Sequence, residues 1–362
     1  MLVSVFGTPS PLTHWGVHLL QTVMQVVYGD CHFIKVNLID DLRETWSKRD
    51  GKSVIFVSEC PDSQVTNLFI KYGAPTFVFI DDPVDVLCDL IASGTHGVWD
   101  GLCFASQSFC TLGEISTSPT TFRIGRECYN MTVHNLVVEI FHHVVGCADD
   151  EQIEKVMAIV VTNYSLNQSI TIIEQILAHC PQAGRNAGYI STLPNDIRRT
   201  IEPVIAQYNK IVTDEDLHQI IWPMILFSHW EPAGKYYRGP IDLVGPQRYL
   251  IWGPYMHLPK GDWAATLDIE LAENHSGNQL MIDVTADFGT ETLAIGMIDL
   301  PIKGVFSFNI EFSIVEPRLP IEIRFYLKSG AIEGKFALRR AVIQRRSEEC
   351  IERDPVFPRA VC

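Results

Sequence analysis

"SVFGTPSPLTHWGVHLL", residues 4–20, joins a short apolar strand to an amphipathic helix through a turn that holds Gly7, Ser10 and Pro11. A helix that begins at the carboxyl end of a strand presents its backbone N–H groups there, and such junctions bind phosphate. This turn, however, contains neither Lys nor Arg, and a proline has no N–H group to offer. The stretch therefore predicts an α/β fold with an altered phosphate loop.

Apolar strands alternate with helical segments over the first quarter of the chain. The pattern predicts strands at 2–7, 32–38, 53–59 and 75–83 and helices at 14–29, 62–73 and 84–94. Strands this apolar, separated by helices, predict a parallel sheet that is covered on both faces. Residues 91–125 are rich in Ser, Thr and Gly and predict a loop with short elements, and amphipathic helical patterns follow over 132–212.

The composition changes near residue 230, where a turn-rich, aromatic segment begins. Beyond it, short runs of alternating apolar and polar residues recur every ~10 to 15 residues, which is typical of an antiparallel β-sandwich. We therefore predict an α/β domain with a helical second half over residues 1–228, a linker over 229–240, an all-β sandwich over 241–348 and a tail over 349–362.

The charge and the cysteines narrow the possible partners and the compartment. The formal net charge is −15, and phosphate backbones need basic patches, so nucleic acid is not an expected partner. The ten cysteines occur singly, as reduced thiols do in a cytosolic protein. No apolar run is long enough to span a membrane, and the N-terminus has no basic leader region. We expect a cytoplasmic protein without a membrane span or a metal site.

The opening turn resembles the 5′-phosphosulfate loop of sulfotransferases, whose pattern is Gly-x-x-Arg/Lys-Ser-Gly-Thr-Thr-Trp. In "GTPSPLTHW", Gly7, Thr13 and Trp15 match this pattern, whereas Ser10 stands at the basic position and His14 replaces the second Thr. The resemblance implies that Gly7, Ser10 and Thr13 lie where the family binds the donor, adenosine 3′-phosphate 5′-phosphosulfate.

Two further segments are similar to the same family and lie in the order that it predicts. "VFIDDPVDVLCDL" resembles the segment that binds the 3′-phosphate, with Asp81 in place of an Arg and Asp89 in place of a Ser. "VSECP" resembles the segment that carries the catalytic His, with Glu59 at that position. The resemblance covers roughly residues 1–210 and implies a P-loop sulfotransferase-like domain.

The departures from the family pattern bear on activity. Asp81 and Asp89 would face a 3′-phosphate with charge of its own sign, and residues 1–120 contain six Lys and Arg against thirteen Asp and Glu. We therefore expect that the donor site is degenerate and that no cofactor is bound. In the alternative, the chain is an active transferase that uses the family donor or an altered one, in which Glu59 acts as general base and His14 supplies an N–H to the transferring group.

The segment "IWGPYMHLPKGDWAATLDIEL" is similar to the start of a β-sandwich attached to bacterial polysaccharide glycosyltransferases, and similar sandwiches bind carbohydrate. The resemblance covers roughly residues 240–346. Sugars stack on aromatic rings that hydrogen-bonding groups flank, so Tyr249, Trp252 and Tyr255 are candidates for a sugar platform. In the alternative, the rings of Trp252 and Tyr255 only fill the core of the sandwich.

Three hypotheses follow for the whole chain. The first is a non-catalytic sulfotransferase-like protein that binds a glycan or a partner enzyme in bacterial surface-polysaccharide metabolism. The second is the active transferase with Glu59 as base, acting on a carbohydrate hydroxyl. The third is a structural subunit of a larger assembly in which the sandwich forms the interface, so an oligomer is possible.

Overall fold

A computed structural model describes residues 1–49, 53–147, 149–161, 169–186, 188–213, 217–230, 235–275 and 277–346. The chain divides into two compact units. The first unit comprises Met1–Asp216 together with two short segments, Tyr255–Pro259 and Glu316–Ile321. The second unit comprises Leu217–Pro254, Lys260–Val315 and the described residues from Glu322 on. None of the described helices is long and apolar enough to cross a membrane.

A parallel sheet forms the centre of the first unit. Its strands are β1 (Leu2–Gly7), β2 (Cys31–Lys35), β3 (Ser53–Ser58), β4 (Thr76–Ile80) and β5 (Thr121–Gly125). Among the described residues the strand order is β2-β3-β1-β4-β5, and all the pairs are parallel. The parallel α/β sheet predicted from the sequence is confirmed. Because β1 lies in the middle, the carboxyl ends of β3 and β4 flank the turn that follows Gly7.

Helices cover both faces of this sheet. They are α1 (Pro11–Tyr28), α2 (Ile39–Ser47), α3 (Ser63–Tyr72), α4 (Pro83–Ala92), α5 (Val98–Ser116), α6 (Val133–Val145), α7 (Asp150–Val160), α8 (Ile172–His179), α9 (Ala183–Asn186), α10 (Asn195–Ala206) and α11 (Asn209–Val212). On one face, α1, α6, α7 and α8 form a single apolar core with Val5 of β1 and Phe79 of β4. On the other face, the rings of Phe6, Phe56 and Phe69 contact one another. Successive strand residues point to opposite faces, so Val5 and Phe6 enter different cores.

The helix α5 departs from the prediction for residues 91–125, which was wrong to expect only a loop with short elements. Small and hydroxyl-bearing residues are weak helix formers, but here they are buried. A Cβ on Gly113 would lie 2.9 Å from Cγ2 of Ile211, so only glycine allows this close approach of α11. Ser106 and Ser116 donate their hydroxyls to carbonyls one turn earlier in α5. Close packing and satisfied hydroxyls therefore outweigh the weak propensity.

Two antiparallel sheets form the second unit. Their strands are β6 (Gln219–Ile221), β7 (Ser228–His229), β8 (Lys235–Tyr236), β9 (Ile241–Asp242), β10 (Arg248–Met256), β11 (Gly261–Ala272), β12 (Gln279–Ala286), β13 (Glu291–Asp299), β14 (Gly304–Ile314), β15 (Ile321–Leu327) and β16 (Lys335–Arg345). One sheet has the order β13-β12-β15-β10-β7-β8, and the other has the order β14-β11-β16-β6, with β9 paired to β16. The predicted all-β antiparallel sandwich is confirmed as the fold class of this unit.

Short strands extend the second unit toward the N-terminus. The unit begins at Leu217, and β6 pairs with β16 through Ile221 and Val342. The domain limits predicted from the sequence place β6 in the first domain, β7 at the boundary and β8 in the linker. Strands of two or three residues are too short to show an alternating pattern, so the sequence gives no signal for them. The predicted end of the sandwich at 348 and the tail lie outside the described residues.

Candidate functional site

The turn after β1 is filled by a side chain of its own helix. A Cβ on Gly7 would lie 2.5 Å from Oγ1 of Thr13 and 3.0 Å from the carbonyl oxygen of Phe79. Ser10 and Thr13 are both buried. The side chain of Thr13 therefore lies against the bare backbone of Gly7.

Three backbone positions in the turn and at the start of α1 have no N–H group or have one that is already bonded. Pro11 is the first helical residue and has no N–H group. The N–H of Thr13 donates to Oγ of Ser10 at 3.4 Å, which is the N-cap of the helix. The N–H of Thr8 donates to the carbonyl of Phe79 at 3.0 Å. An anion at a helix N-terminus needs free N–H groups, and these three positions do not supply them.

Carboxylates concentrate at the end of β4 and along α4. Asp81 is buried; it accepts the hydroxyl of Tyr129 at 2.8 Å, and desolvation raises its pKa. Asp85 and Asp89 are four residues apart and therefore share a face of α4. Desolvation raises the pKa of Asp89 to about 6, although Asn186 donates to it at 2.9 Å. The structure thus places the predicted 3′-phosphate positions in an acidic cluster.

One cation reaches this cluster, and the sequence reasoning missed it. Arg126 follows β5; its guanidinium lies 2.9 Å from Asp85 and 3.7 Å from Asp82. Because β5 was not predicted, the sequence could not indicate that Arg126 lies at the carboxyl edge of the sheet. Because the guanidinium is paired with carboxylates, it compensates their charge.

The structure brings Glu59 and His14 together at the end of β3. Nε2 of His14 lies 3.9 Å from Oε1 of Glu59, with 60% of the His14 side chain and 14% of the Glu59 side chain exposed. Lys35, at the end of β2, donates to the same Oε1 at 2.7 Å. Desolvation lowers the pKa of His14, and the Glu59 carboxylate opposes that shift. Lys35 was not predicted from the sequence. Because it pairs with Glu59, the carboxylate proposed as the base is held in an ion pair.

A second histidine of α1, His18, lies one turn after His14. The ring of His18 stacks on the ring of His179 with centroids 5.0 Å apart. Across the described ranges, no group of three or more His, Cys, Asp and Glu side chains has an arrangement that could hold a metal ion.

In the second unit, Tyr249 belongs to a cluster on the outward side of β10, β15 and β12. Its ring lies 4.8 Å from the ring of Tyr326, and the guanidinium of Arg324 lies 5.2 Å from the Tyr249 centroid. Arg324 donates from Nε to Oδ1 of Asp283 at 3.0 Å and from Nη2 to Oδ2 at 2.5 Å. We call this set, with Glu322, the tyrosine face. The alternation of apolar and polar residues in "IEIRFYL", residues 321–327, is the sequence signal that could have predicted this face.

The other two predicted platform residues lie apart from this cluster. Trp252 is three residues from Tyr249 on β10 and pairs with Ser228 of β7, so its side chain points to the opposite side of the strand. Tyr255 has a positive φ of 63° and follows the cis peptide Gly253–Pro254, and it groups with the first unit. Tyr249 and Trp252 therefore lie on opposite sides of β10.

A cavity of about 420 Å³ lies at one edge of the sandwich. It is lined by Glu291–Leu293 of β13, Glu311–Ser313 of β14 and Arg346. Arg346 pairs with Glu311 at 2.7 Å. None of the site residues predicted from the sequence lines it.

Comparison with known proteins gives structural likenesses only. No family model matches the chain, and no curated protein matches it. A mouse sulfotransferase in complex with PAP is 13% identical over 55% of this chain and 81% of that chain, with a TM-score of 0.35. A carbohydrate-binding module in complex with β-1,4-galactotriose is 13% identical over 33% of this chain and 81% of that chain, with a TM-score of 0.23. A xylan-binding domain is 12% identical over 35% of this chain and 82% of that chain, with a TM-score of 0.21. These likenesses are coarse, and the fold class rests on the strand order and pairing described above.

Proposed function

We propose that this chain is a non-catalytic sulfotransferase-like protein whose sandwich binds a glycan. The observation that carries the proposal is the start of α1, where Pro11 has no N–H group, the N–H of Thr13 donates to Ser10, and the turn contains no basic residue. Asp81 stands where the family pattern has an Arg and Asp89 where it has a Ser, so both add carboxyl groups to the 3′-phosphate positions. The sandwich resemblance supports a role in bacterial surface-polysaccharide metabolism, either on the glycan itself or on an enzyme that makes it, and the cysteines that occur singly suit a cytoplasmic location.

The tyrosine face supplies what a sugar needs. Tyr249 and Tyr326 are half-exposed, and aromatic rings stack on the C–H faces of pyranoses while polar groups hydrogen-bond the hydroxyls. Arg324 and Asp283 hold each other in a bidentate pair beside the rings, so these polar groups are positioned before a ligand arrives. A preorganised site loses less entropy on binding.

Titration calorimetry with dextran, laminarin, xylan and galactan oligosaccharides tests the glycan part of the proposal. We expect one of them to bind, and we expect Tyr249→Ala and Tyr326→Ala each to weaken its binding by about fivefold, since stacking on a ring contributes on the order of 1 kcal/mol. Tyr72→Ala, which removes an exposed tyrosine at the end of α3, is the matched control. Equal affinity in all three variants would contradict the assignment of the face.

Titration with adenosine 3′,5′-bisphosphate tests the loss of the donor site. We expect no heat of binding at millimolar ligand, because the turn contains no cation and Pro11 has no N–H group to offer. Micromolar binding would contradict the proposal and favour an active enzyme.

One observation favours the active transferase as a second candidate: Glu59, Lys35 and His14 meet at the carboxyl edge of the sheet. In that case sulfate transfer from adenosine 3′-phosphate 5′-phosphosulfate to an oligosaccharide should be measurable and should disappear in Glu59→Gln. Glu44→Gln is the matched control, because Glu44 also pairs with a lysine, Lys48, on the exposed surface of α2. Equal turnover in the two variants would exclude Glu59 as the base.

A further inference from the structure

The charge of the tyrosine face indicates which glycans it accepts. The strands that carry the face and its neighbour, β10, β12, β13 and β15, contain two cationic side chains among their described residues, Arg248 and Arg324. The same strands contain four carboxylates, Asp283, Glu291, Asp299 and Glu322, of which Asp283 and Glu322 belong to the face.

Both guanidinium groups are already engaged. Arg324 gives Nε and Nη2 to the two carboxylate oxygens of Asp283, whose side chain is 4% exposed. A bidentate pair of this kind uses the edge of the guanidinium that would otherwise bind a sulfate or a carboxylate. Arg248 donates to the backbone carbonyls of Asp242, Leu243, Val244 and Pro246. Neither arginine therefore has a guanidinium edge available to bind an anion through two hydrogen bonds.

A second buried carboxylate makes the centre of the face negative. Glu322 is 5% exposed, and Oγ1 of Thr285 donates to its Oε2 at 3.4 Å. Glu322 lies close enough to Arg324 to raise the pKa of that guanidinium, after the larger effect of Asp283. The guanidinium of Arg324 and the two carboxylates therefore lie beside the rings of Tyr249 and Tyr326.

Toward β13, the face presents exposed apolar side chains. Ile295 and Met297 of β13 are exposed, and they pair in register with Asp283 and Met281 of β12. Side chains of directly paired residues lie on the same side of a sheet. The surface that continues from the two rings toward β13 therefore offers C–H groups rather than cations.

We infer that the tyrosine face selects neutral glycans and rejects sulfated ones. This inference rests on the proposed function, because it names the substrate class of the same site. A neutral pyranose stacks on the rings and leaves the pair between Arg324 and Asp283 intact. A sulfate ester brings a negative charge to a face that is already negative, and like charges near a protein surface repel appreciably.

The test uses dextran, laminarin, xylan and galactan oligosaccharides of one length, each before and after chemical sulfation. We expect any neutral form that binds to bind at least about tenfold more tightly than its sulfated form, with the difference shrinking as salt rises from about 0.05 to 0.5 M, since salt screens exposed charges. Glu322→Gln should narrow the difference by strengthening the binding of the sulfated form, because it removes one charge and keeps the side-chain shape. Glu311→Gln, on the outward side of the other sheet, should leave the difference unchanged.

The outcomes separate this inference from the proposed function. Equal or tighter binding of the sulfated form would overturn the selectivity while leaving glycan binding intact. A difference that does not respond to salt would overturn its electrostatic cause, even if Glu322→Gln fails to fold. Failure of every neutral and every sulfated oligosaccharide to bind would overturn the proposed function and this inference with it.

Discussion

At the residue scale, Gly7 is fixed by the side chain that lies against it. Replacing Gly7 by Ala would put a methyl group 2.5 Å from Oγ1 and 2.6 Å from Cγ2 of Thr13. Overpacking of a rigid core usually costs about 1–3 kcal/mol, so we expect Gly7→Ala to lower the free energy of unfolding by that amount in urea denaturation. Trimming Thr13 to Ala in the same protein should recover part of the loss.

The double variant Gly7→Ala/Thr13→Ala distinguishes this contact from a general strain on the strand. Recovery of stability in the double variant would show that the Thr13 side chain obstructs the methyl group added at position 7. A loss in the double variant equal to the sum of the two single losses would show that the carbonyl of Phe79, 3.0 Å from the same position, is the obstacle instead.

Asp89 links the stability of the first unit to pH. Desolvation raises its pKa from an ordinary value of 3.8 to about 6, so the folded chain holds the proton more tightly than the unfolded chain. The stabilisation is complete below pH 3.8 and is lost as the pH rises through about 6. We expect Asp89→Asn to be more stable than the wild type above pH 6, by at most about 1–2 kcal/mol because the group is only partly buried.

Thermal unfolding between pH 4 and pH 8 measures this effect. Asp41 lies in the first turn of α2, where a negative charge at the helix N-terminus stabilises the helix. We therefore expect Asp41→Asn to be less stable than the wild type. If Asp89→Asn had the same stability advantage at pH 4 as at pH 8, titration of Asp89 would not be its cause.

At the element scale, α1 begins where Ser10 caps it. Oγ of Ser10 accepts from the N–H of Thr13, and Pro11 starts the helix with a fixed φ. We expect Ser10→Ala to destabilise the first unit by about 0.5–2 kcal/mol and Ser10→Gly by only a few tenths, since glycine leaves the N–H groups open to water. Equal losses in the two variants, measured by urea denaturation, would show that burial of Ser10 matters more than the cap.

The elements differ in how well their sequences predict them. β1, α1 and α6 have strong patterns and clear stops; Gly29 and Gly146 end the two helices with positive φ. α5 was missed because its small residues gain their stability from close neighbours such as Ile211, which a local pattern does not contain. The tyrosine face was only half predicted, because Tyr326 and Arg324 reach Tyr249 through pairing between distant strands.

At the scale of the whole molecule, the first unit is not one continuous stretch of chain. His257 is buried in it; its Nδ1 lies 3.1 Å from Oγ of Ser106, and the hydroxyl of Tyr208 donates to its carbonyl at 3.0 Å. Gln107 likewise donates to the carbonyl of Arg318 at 2.8 Å. Residues 255–259 and 316–321 therefore complete the packing around α5.

A fragment of residues 1–216 lacks these two segments. We expect it to be less stable than the same unit within the full chain, with a lower unfolding temperature and greater exposure of apolar surface to a dye such as ANS. His257→Ala in the full chain should shift the unfolding of the first unit in the same direction by a smaller amount. An unfolding temperature unchanged in the fragment would show that the two segments add nothing to its stability.

The sequence by itself determined the two fold classes, because hydrophobic periodicity and turn residues are local signals that survive without the rest of the chain. It also indicated the altered turn after β1, since the absence of a cation and the presence of Pro11 can be read directly. Only the tertiary structure decided that Thr13 fills the space beside Gly7, that Lys35 holds Glu59, and that Tyr249 joins Tyr326 rather than Trp252. Those contacts join residues through sheet register and helix packing, and their distances follow from the three-dimensional arrangement of whole elements.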